Sequence, residues 1–268
     1  MQLKESDYIT IMTDASNHKD TKLFPILVRF FQPYEGVCIK ILDFQSQPGE
    51  TSDIIVKYLQ ENIEKHGLNE KIVAYCGDNT NCNFGGSSRH GRNNVYTKLN
   101  NYLGRELIGV GCNAHILHNA IKTACDCLPI DVEVIIVKIY SYFYIYTVRV
   151  ESLKEFCEFV DIEYNQLLGY SKTRWLVLMP TIERVLRMFK GLKAYFLSQN
   201  KCPIILRTFF ENPQAEVWLY FIHSQAAIFH RVVTKIEGEN ISALEVSNEI
   251  CSLKENLKKK KEMYFYLL

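Results

Sequence analysis

The sequence predicts a mixed α/β layer over residues 1–128, followed by an all-helical region over residues 129–268. Two observations carry that division. Before the Leu128-Pro129 step, runs of Val, Ile and Phe are cut repeatedly by Asn, Asp, Pro and Gly, the rhythm of short strands between turns. Beyond it this punctuation mostly stops, and apolar residues recur at helical spacing. With 268 residues and 47% hydrophobic content, the chain can bury one or two sizeable cores.

The elements follow in order. YITIMTD (8–14), LFPILVRFF (23–31) and VCIKILDFQ (37–45) form a three-strand meander, with breaks at ASNHKDT and PYEG. SQPGETS ends the meander, and Thr51 or Ser52 starts a helix carrying Ile54, Ile55, Tyr58, Leu59 and Ile63 on one side. Gly67 suits the C′ position of that helix, because glycine enters the left-handed region without a steric penalty. KIVAYCGD (71–78) is the fourth strand, followed by a polar loop and a short helix over 95–103. LIGVGC (107–112) is the fifth strand, and residues 113–127 form a helix. The predicted order is βββαβαβα.

In the second half, residues 132–150 are ambiguous: β-branched and aromatic content favours a strand, and a long run without a turn favours a helix. Pro180 marks a helix start or a kink, and Asn212-Pro213 reads as N-cap and N1 of a helix that ends before Gly238. Ile241, Leu244, Ile250, Leu253 and Leu257 form the last helical stripe.

Composition narrows the function classes. Basic and acidic residues number 31 and 30, so net charge points to neither nucleic acid nor a membrane surface, although a local basic face is compatible with that balance. The nine cysteines are odd in number and irregular in spacing, and no secretory leader pattern opens the chain; reduced thiols in cytoplasm or nucleus are the expectation. VEVIIVKIYSYFYIYTV (132–148) falls short of the ~20 apolar residues a spanning helix needs and carries Lys138 inside, so no membrane partner is expected.

Candidate chemistry centres on two aspartates. Asp14 and Asp78 each end an apolar strand. If those strands are neighbours in one sheet, both carboxylates leave the same edge and suit Mg²⁺ or Mn²⁺. Taken singly, each is better read as a turn residue. Cys112 and His115 share a helical face; they are read as a buried thiol beside a polar histidine, or as half of a zinc site with Cys76 and Cys82. GGSSRHGRNN (85–94) is a connecting loop or a phosphate cradle with Arg89 and Arg92. Arg174 and Trp175 grip a nucleotide by charge and stacking, or Trp175 joins the helical core. The lysine run 258–261 is a nuclear-targeting or DNA-contacting patch, or a solvated helix end.

These pieces, in this order, resemble the hAT superfamily of DNA transposases, above all host-genome derivatives of the kind found behind BED- or MYM-type zinc fingers. The resemblance lies in TDAS with Asp14, CGDNTNCNFGG with Asp78, GCNAH with Cys112 and His115, and SKTRW with Arg174 and Trp175, and it extends over nearly the whole chain. It implies an RNase H-like core interrupted by a large helical insertion, with Asp14 and Asp78 as the first two members of a metal-binding DDE triad. Cys112 and His115 match that family's Cys-x-x-His motif beside the site, and Trp175 matches an aromatic that handles DNA at the entry to the insertion. The third carboxylate of the family follows the insertion, and Glu183 comes too soon after TRW to fill that role. The chain is therefore expected to be a core cut short at both ends, nuclear, and inactive in transposition, with residual binding of DNA or protein. Two alternatives remain open: a metal-dependent nuclease, completed by Glu50, Asp53 or a missing C-terminal glutamate segment, and a protein-interaction module that self-associates.

Overall fold

The computed structural model describes residue 3 and residues 5–18, 20–86, 91–169, 175–238 and 241–265. The chain is a mixed α/β protein that divides into two compact units, built on Met1–Ile116 and on Leu117–Glu237 with Ile241–Leu268.

The first unit is organised by a six-stranded mixed sheet. Its strands are β1 (Ile9–Thr13), β2 (Ser16–His18), β3 (Thr21–Gln32), β4 (Gly36–Gln47), β5 (Ile72–Gly77) and β6 (Ile108–Gly111). β3 lies between β1 and β4 and is antiparallel to both, as the meander predicts. β5 then pairs parallel with β1, and β6 parallel with β5. A parallel pair needs a long crossover. Here α1 (Ser52–His66) supplies it between β4 and β5, and α2 (Asn81–Phe84) with α3 (Val95–Leu103) between β5 and β6. α1 has the ends read from the sequence: the Thr51 hydroxyl accepts the Ile54 N–H, and Gly67 closes the helix at φ 64°.

Strand alternation sends Ile9 and Ile11, then Phe24, Ile26, Val28 and Phe30, to one face. There they pack with Leu59 and Ile63 of α1 and Leu99 of α3 into one core. Two short elements escaped the sequence reading. The polar run taken as a break contains β2, three residues paired with β3, and the polar loop after β5 opens with α2, capped by Thr80.

The second unit is helical among its described residues. α4 (Asn113–Asp126) runs across the division between units and stops before the composition shift at Leu128-Pro129. The ambiguous segment is two helices, α5 (Val132–Phe143) and α6 (Thr147–Phe159), because the Asp131 carboxylate caps the first by accepting the Val134 N–H. Arg149 sits 4.1 Å from the Tyr142 ring centre and 3.8 Å from that of Tyr146, and it donates to the Tyr142 carbonyl. A single 3-10 turn (Trp175–Leu178) precedes α7 (Met179–Arg187), with Pro180 in its first turn. Then come α8 (Phe189–Ser198), α9 (Ile204–Glu211), α10 (Ala215–Ile236) and α11 (Ala243–Phe265). Rings of Phe143, Tyr195, Phe196, Phe189 and Phe210 interlock at the centre of this unit.

One cap differs from expectation. Asn212 ends α9 instead of starting α10; its Oδ1 accepts the Gln214 N–H, and α10 begins without a side-chain cap. α11 starts on a capping box, in which the Ser242 hydroxyl accepts the Glu245 N–H and the Glu245 carboxylate accepts the Ser242 N–H. No described helix is long and apolar enough to cross a membrane.

Leu59 is fully buried between α1 and the sheet. Leu59→Ala is expected to lower the stability of the first unit by about 2–5 kcal/mol. Both tryptophans, Trp175 and Trp218, lie in the second unit, so hydrogen exchange at β1 and β5 amides is the suitable readout.

Candidate functional site

Side chains just beyond the C-terminal ends of parallel strands converge on one edge of a sheet. In the first unit those ends belong to β1, β5 and β6. The register pairs Met12 with Cys76 near the ends of β1 and β5, and Asp14 follows directly after β1 as Asp78 does after β5, so the two aspartates leave neighbouring parallel strands at the same edge. β6 ends at Gly111 opposite Gly77, and the Cys112 N–H continues the ladder to the Gly77 carbonyl at 2.9 Å. His115 follows in the first turn of α4. Asp14, Asp78, Cys112 and His115 thus follow the ends of three adjacent parallel strands, within electrostatic reach of one another.

Their electrostatics overlap accordingly. The His115 imidazole is held above its usual range, first by its hydrogen-bonding contact with Cys112, against the opposing effect of burial, and further by the charges of Cys112, Asp14 and Asp78. Burial pushes the Cys112 thiol up, but the His115 side chain, together with the N–H groups of His115 and Ala114, outweighs it and brings the thiol below its usual range. His115 Nδ1 is buried and has no hydrogen-bond partner among the described residues. Burial lifts Cys76 to about 11, with Cys112 and Asp14 adding to the rise and Arg29 opposing it. The Tyr75 hydroxyl is pushed far up by burial and then by Asp78, Cys82, Cys76 and Asp14.

Asp78 is both a turn residue and a presented carboxylate. Its Oδ1 accepts the Thr80 N–H at 3.3 Å, the Thr80 hydroxyl at 2.7 Å and the Asn83 side-chain amide at 2.6 Å. Asn83 Oδ1 in turn accepts the buried Tyr75 hydroxyl at 2.6 Å. All of these bonds to Asp78 fall on Oδ1; among the described residues Oδ2 accepts none. Asn79 turns the other way and donates to the Cys112 carbonyl at 3.0 Å, tying this loop to the start of α4. Gly111 makes that tie possible, since a Cβ there would collide with Asn79 Oδ1. Asn79, Asn83, Tyr75 and Gly111 were not singled out from the sequence. The clue was the density of asparagine after the fourth strand, since Asn and Asp bond their own local backbone in turns.

Other sequence candidates fare differently. The Glu50 carboxylate pairs with Lys22, and that of Asp53 with Lys98 at 2.5 Å. Among the described residues no three His, Cys, Asp or Glu side chains gather to hold a metal ion, so neither carboxylate completes the aspartate pair, and Cys76, Cys82, Cys112 and His115 do not form a zinc site. Cys82 instead donates to the Glu50 carbonyl. His118 is buried and structural: its Nδ1 accepts the Leu176 N–H at 3.2 Å. Arg174 and Arg89 lie outside the described residues, as does the Trp175 side chain; Arg92 is exposed. The lysine run sits near the end of α11, with Lys258, Lys259 and Lys261 exposed. All nine cysteines are free.

As donors, two carboxylates suit one hydrated hard cation, since Mg²⁺ commonly takes one or two carboxylates and keeps its remaining waters. A two-ion centre needs further inward-pointing carboxylates. No protein-family model matches the chain, and no curated protein matches it.

Two measurements check this geometry. Gly111→Ala is expected to displace Asn79 and destabilise the first unit by about 1–3 kcal/mol, through overpacking against a fixed loop. For Cys112, the lowered thiol keeps its thiolate at pH values where an ordinary thiol is protonated, and reactivity is lost as pH falls through the lowered value. Alkylation followed by peptide mass spectrometry should therefore show the Cys112 rate persisting to lower pH than that of exposed Cys127, and His115→Ala should move the Cys112 profile upward. A Cys112 profile that tracks Cys127 in the unsubstituted protein would show that the pair is not coupled.

Proposed function

We propose that this chain is the RNase H-like core and helical insertion of a hAT transposase-derived protein, retained in the nucleus for binding nucleic acid and not for cutting it. The observation that carries the reading is the pair Asp14 and Asp78, set side by side at the ends of parallel β1 and β5. Three further features support it. The mixed sheet, with strand order β4-β3-β1-β5-β6 and an antiparallel β3–β4 hairpin, is compatible with the RNase H-like core that the resemblance implies. Cys112 and His115 stand beside the aspartates, where that family carries its Cys-x-x-His motif. The run of helices from α5 onward, after the last strand, is compatible with a helical insertion.

In this reading the site residues position and do not turn over. Asp14 and Asp78 would hold one hydrated Mg²⁺ or Mn²⁺, which supplies a positive charge for a phosphate oxygen. Asn83 and Thr80 fix the Asp78 carboxylate through Oδ1. His115, whose imidazole is held above its usual range, stands at the same edge. In-line phosphodiester chemistry asks for a third carboxylate to complete two-ion geometry.

Nitrocellulose filter binding to duplex and single-stranded DNA across a salt series tests the binding role. The expected log–log slope is about −0.7 to −0.9 per phosphate contacted, and a slope near zero would remove nucleic acid from the reading. In parallel, Mn²⁺ is expected to raise the melting temperature of the protein but not of Asp78→Asn. Mn²⁺-dependent DNA cleavage that disappears in Asp78→Asn would replace the binding role with an active nuclease.

A further inference from the structure

The outer edge of β4 is a long surface that the aspartate site does not use. β4 is twelve residues long, contains no proline and, among the described residues, pairs with β3 alone. An edge of that length presents a row of unpaired backbone N–H and C=O groups, a template for another strand. Its apolar side chains are also open to solvent, with Ile41 68% and Phe44 55% exposed. Long edges are usually blunted by proline or by unpaired charge. β4 carries two charges, Lys40 and Asp43, and their placement decides between blunting and pairing.

Residues three apart on a regular strand point to opposite faces. Here they do not, because the register with β3 shifts at Leu42: Lys40 stands opposite Val28, and Asp43 opposite Ile26. Val28 and Ile26 both lie on the covered face of the sheet, so Lys40 and Asp43 share it. Lys40 is exposed and has no ion-pair partner among the described residues. Two copies of β4, run antiparallel about a two-fold axis through Ile41 and Leu42, bring Lys40 of each opposite Asp43 of the other. The same register sets Ile39 against Phe44; these residues face Arg29 and Pro25 on β3 and so share the open face. Sliding the axis one step either way opposes Lys40 to Lys40 or Asp43 to Asp43. The charge pattern favours one register and penalises its neighbours, which is how strand pairing is specified.

We infer that a second copy of this chain docks on β4, joining the two sheets edge to edge through reciprocal Lys40–Asp43 pairs. The inference is independent of the aspartate site and of nucleic acid. Such an interface is isologous, and it satisfies both edges at once.

Sedimentation velocity of the whole chain, from about 1 to about 100 µM, reads the association. A monomer–dimer equilibrium is expected. Lys40→Glu, at an exposed position, should leave the circular dichroism and melting of the monomer unchanged and weaken the dimer by about tenfold or more. Lys40→Glu with Asp43→Lys should recover the wild-type association. Because Asp43 also accepts from Asn62 and Gln45, the exchange has a structural risk. A carbodiimide crosslink on unsubstituted protein, in a mixture of ¹⁴N and ¹⁵N copies, therefore supplies the second readout. A mixed-isotope peptide joining Lys40 to Asp43 supports the interface. A monomer throughout the concentration range, a dimer indifferent to Lys40→Glu, or intermolecular crosslinks only elsewhere would overturn it.

Discussion

The parallel pairing of β1 with β5 is the constraint on which the first unit depends. Parallel neighbours cannot be joined by a tight turn, so the chain must leave the sheet, cross it and return. α1 makes that crossing, with its start fixed by Thr51 and its end by Gly67. The crossing also has to be buried, and Leu59 and Ile63 of α1 meet Ile9, Ile11 and Ile72 in one core. Because one face of these strands is buried, slipping by one residue would turn apolar side chains out and polar ones in. The core therefore holds the register, and the register holds Asp14 next to Asp78. Packing energy and site geometry are consequences of the same pairing.

A second tier of interactions converts that placement into a defined carboxylate. A strand end alone leaves an aspartate free to rotate. The Tyr75–Asn83–Asp78 relay removes that freedom by anchoring one oxygen through a buried phenol. Burial keeps the Tyr75 hydroxyl protonated and donating, so the relay has one polarity. Asn79 and Gly111 then couple the loop to the start of α4, where Cys112 and His115 sit. The negative edge and the His115 imidazole are mutually adapted: the aspartates favour the protonated ring, and the ring offsets part of their charge.

Much of this was legible in the sequence, for physical reasons that can be named. The long strands and α1 announce themselves because burial on one face imposes a period, and because Thr51 and Gly67 are strong end signals. Both aspartates were legible as the polar termini of apolar runs. β2 was not, since three residues of Ser, Asn and His carry no period and are held only by pairing with β3. Residues 132–150 resisted assignment because apolar and aromatic residues such as Val134, Tyr140 and Tyr142 also lie outside the buried stripe of Val132, Ile135, Ile136, Ile139 and Phe143, and the composition then looks like that of a strand. Asn212 misled because the same side chain serves an N-cap and a local turn, and only the backbone after α9 decides which. The relay around Asp78 was invisible for a different reason: it joins Tyr75, Asn83 and Gly111 through space, and residue spacing does not encode which amide meets which hydroxyl.

Two single-residue irregularities in the sheet carry more consequence than any motif. Between β1 and β5, Ile9 pairs with Ile72 but Thr10 with Ala74, so Val73 is an extra residue. In a regular register Asp14 would come level with Gly77 and not with Asp78. Between β3 and β4, Leu42 is extra, and without it Lys40 and Asp43 would point to opposite faces of the sheet. Each insertion reverses the alternation of everything beyond it, since strand side chains repeat every second residue. Neither disturbs the hydrophobic pattern enough to be seen in the sequence, because Val73 and Leu42 are themselves apolar. The composition of the strands thus determines that a sheet forms, while the placement of two surplus residues determines which charges it aligns.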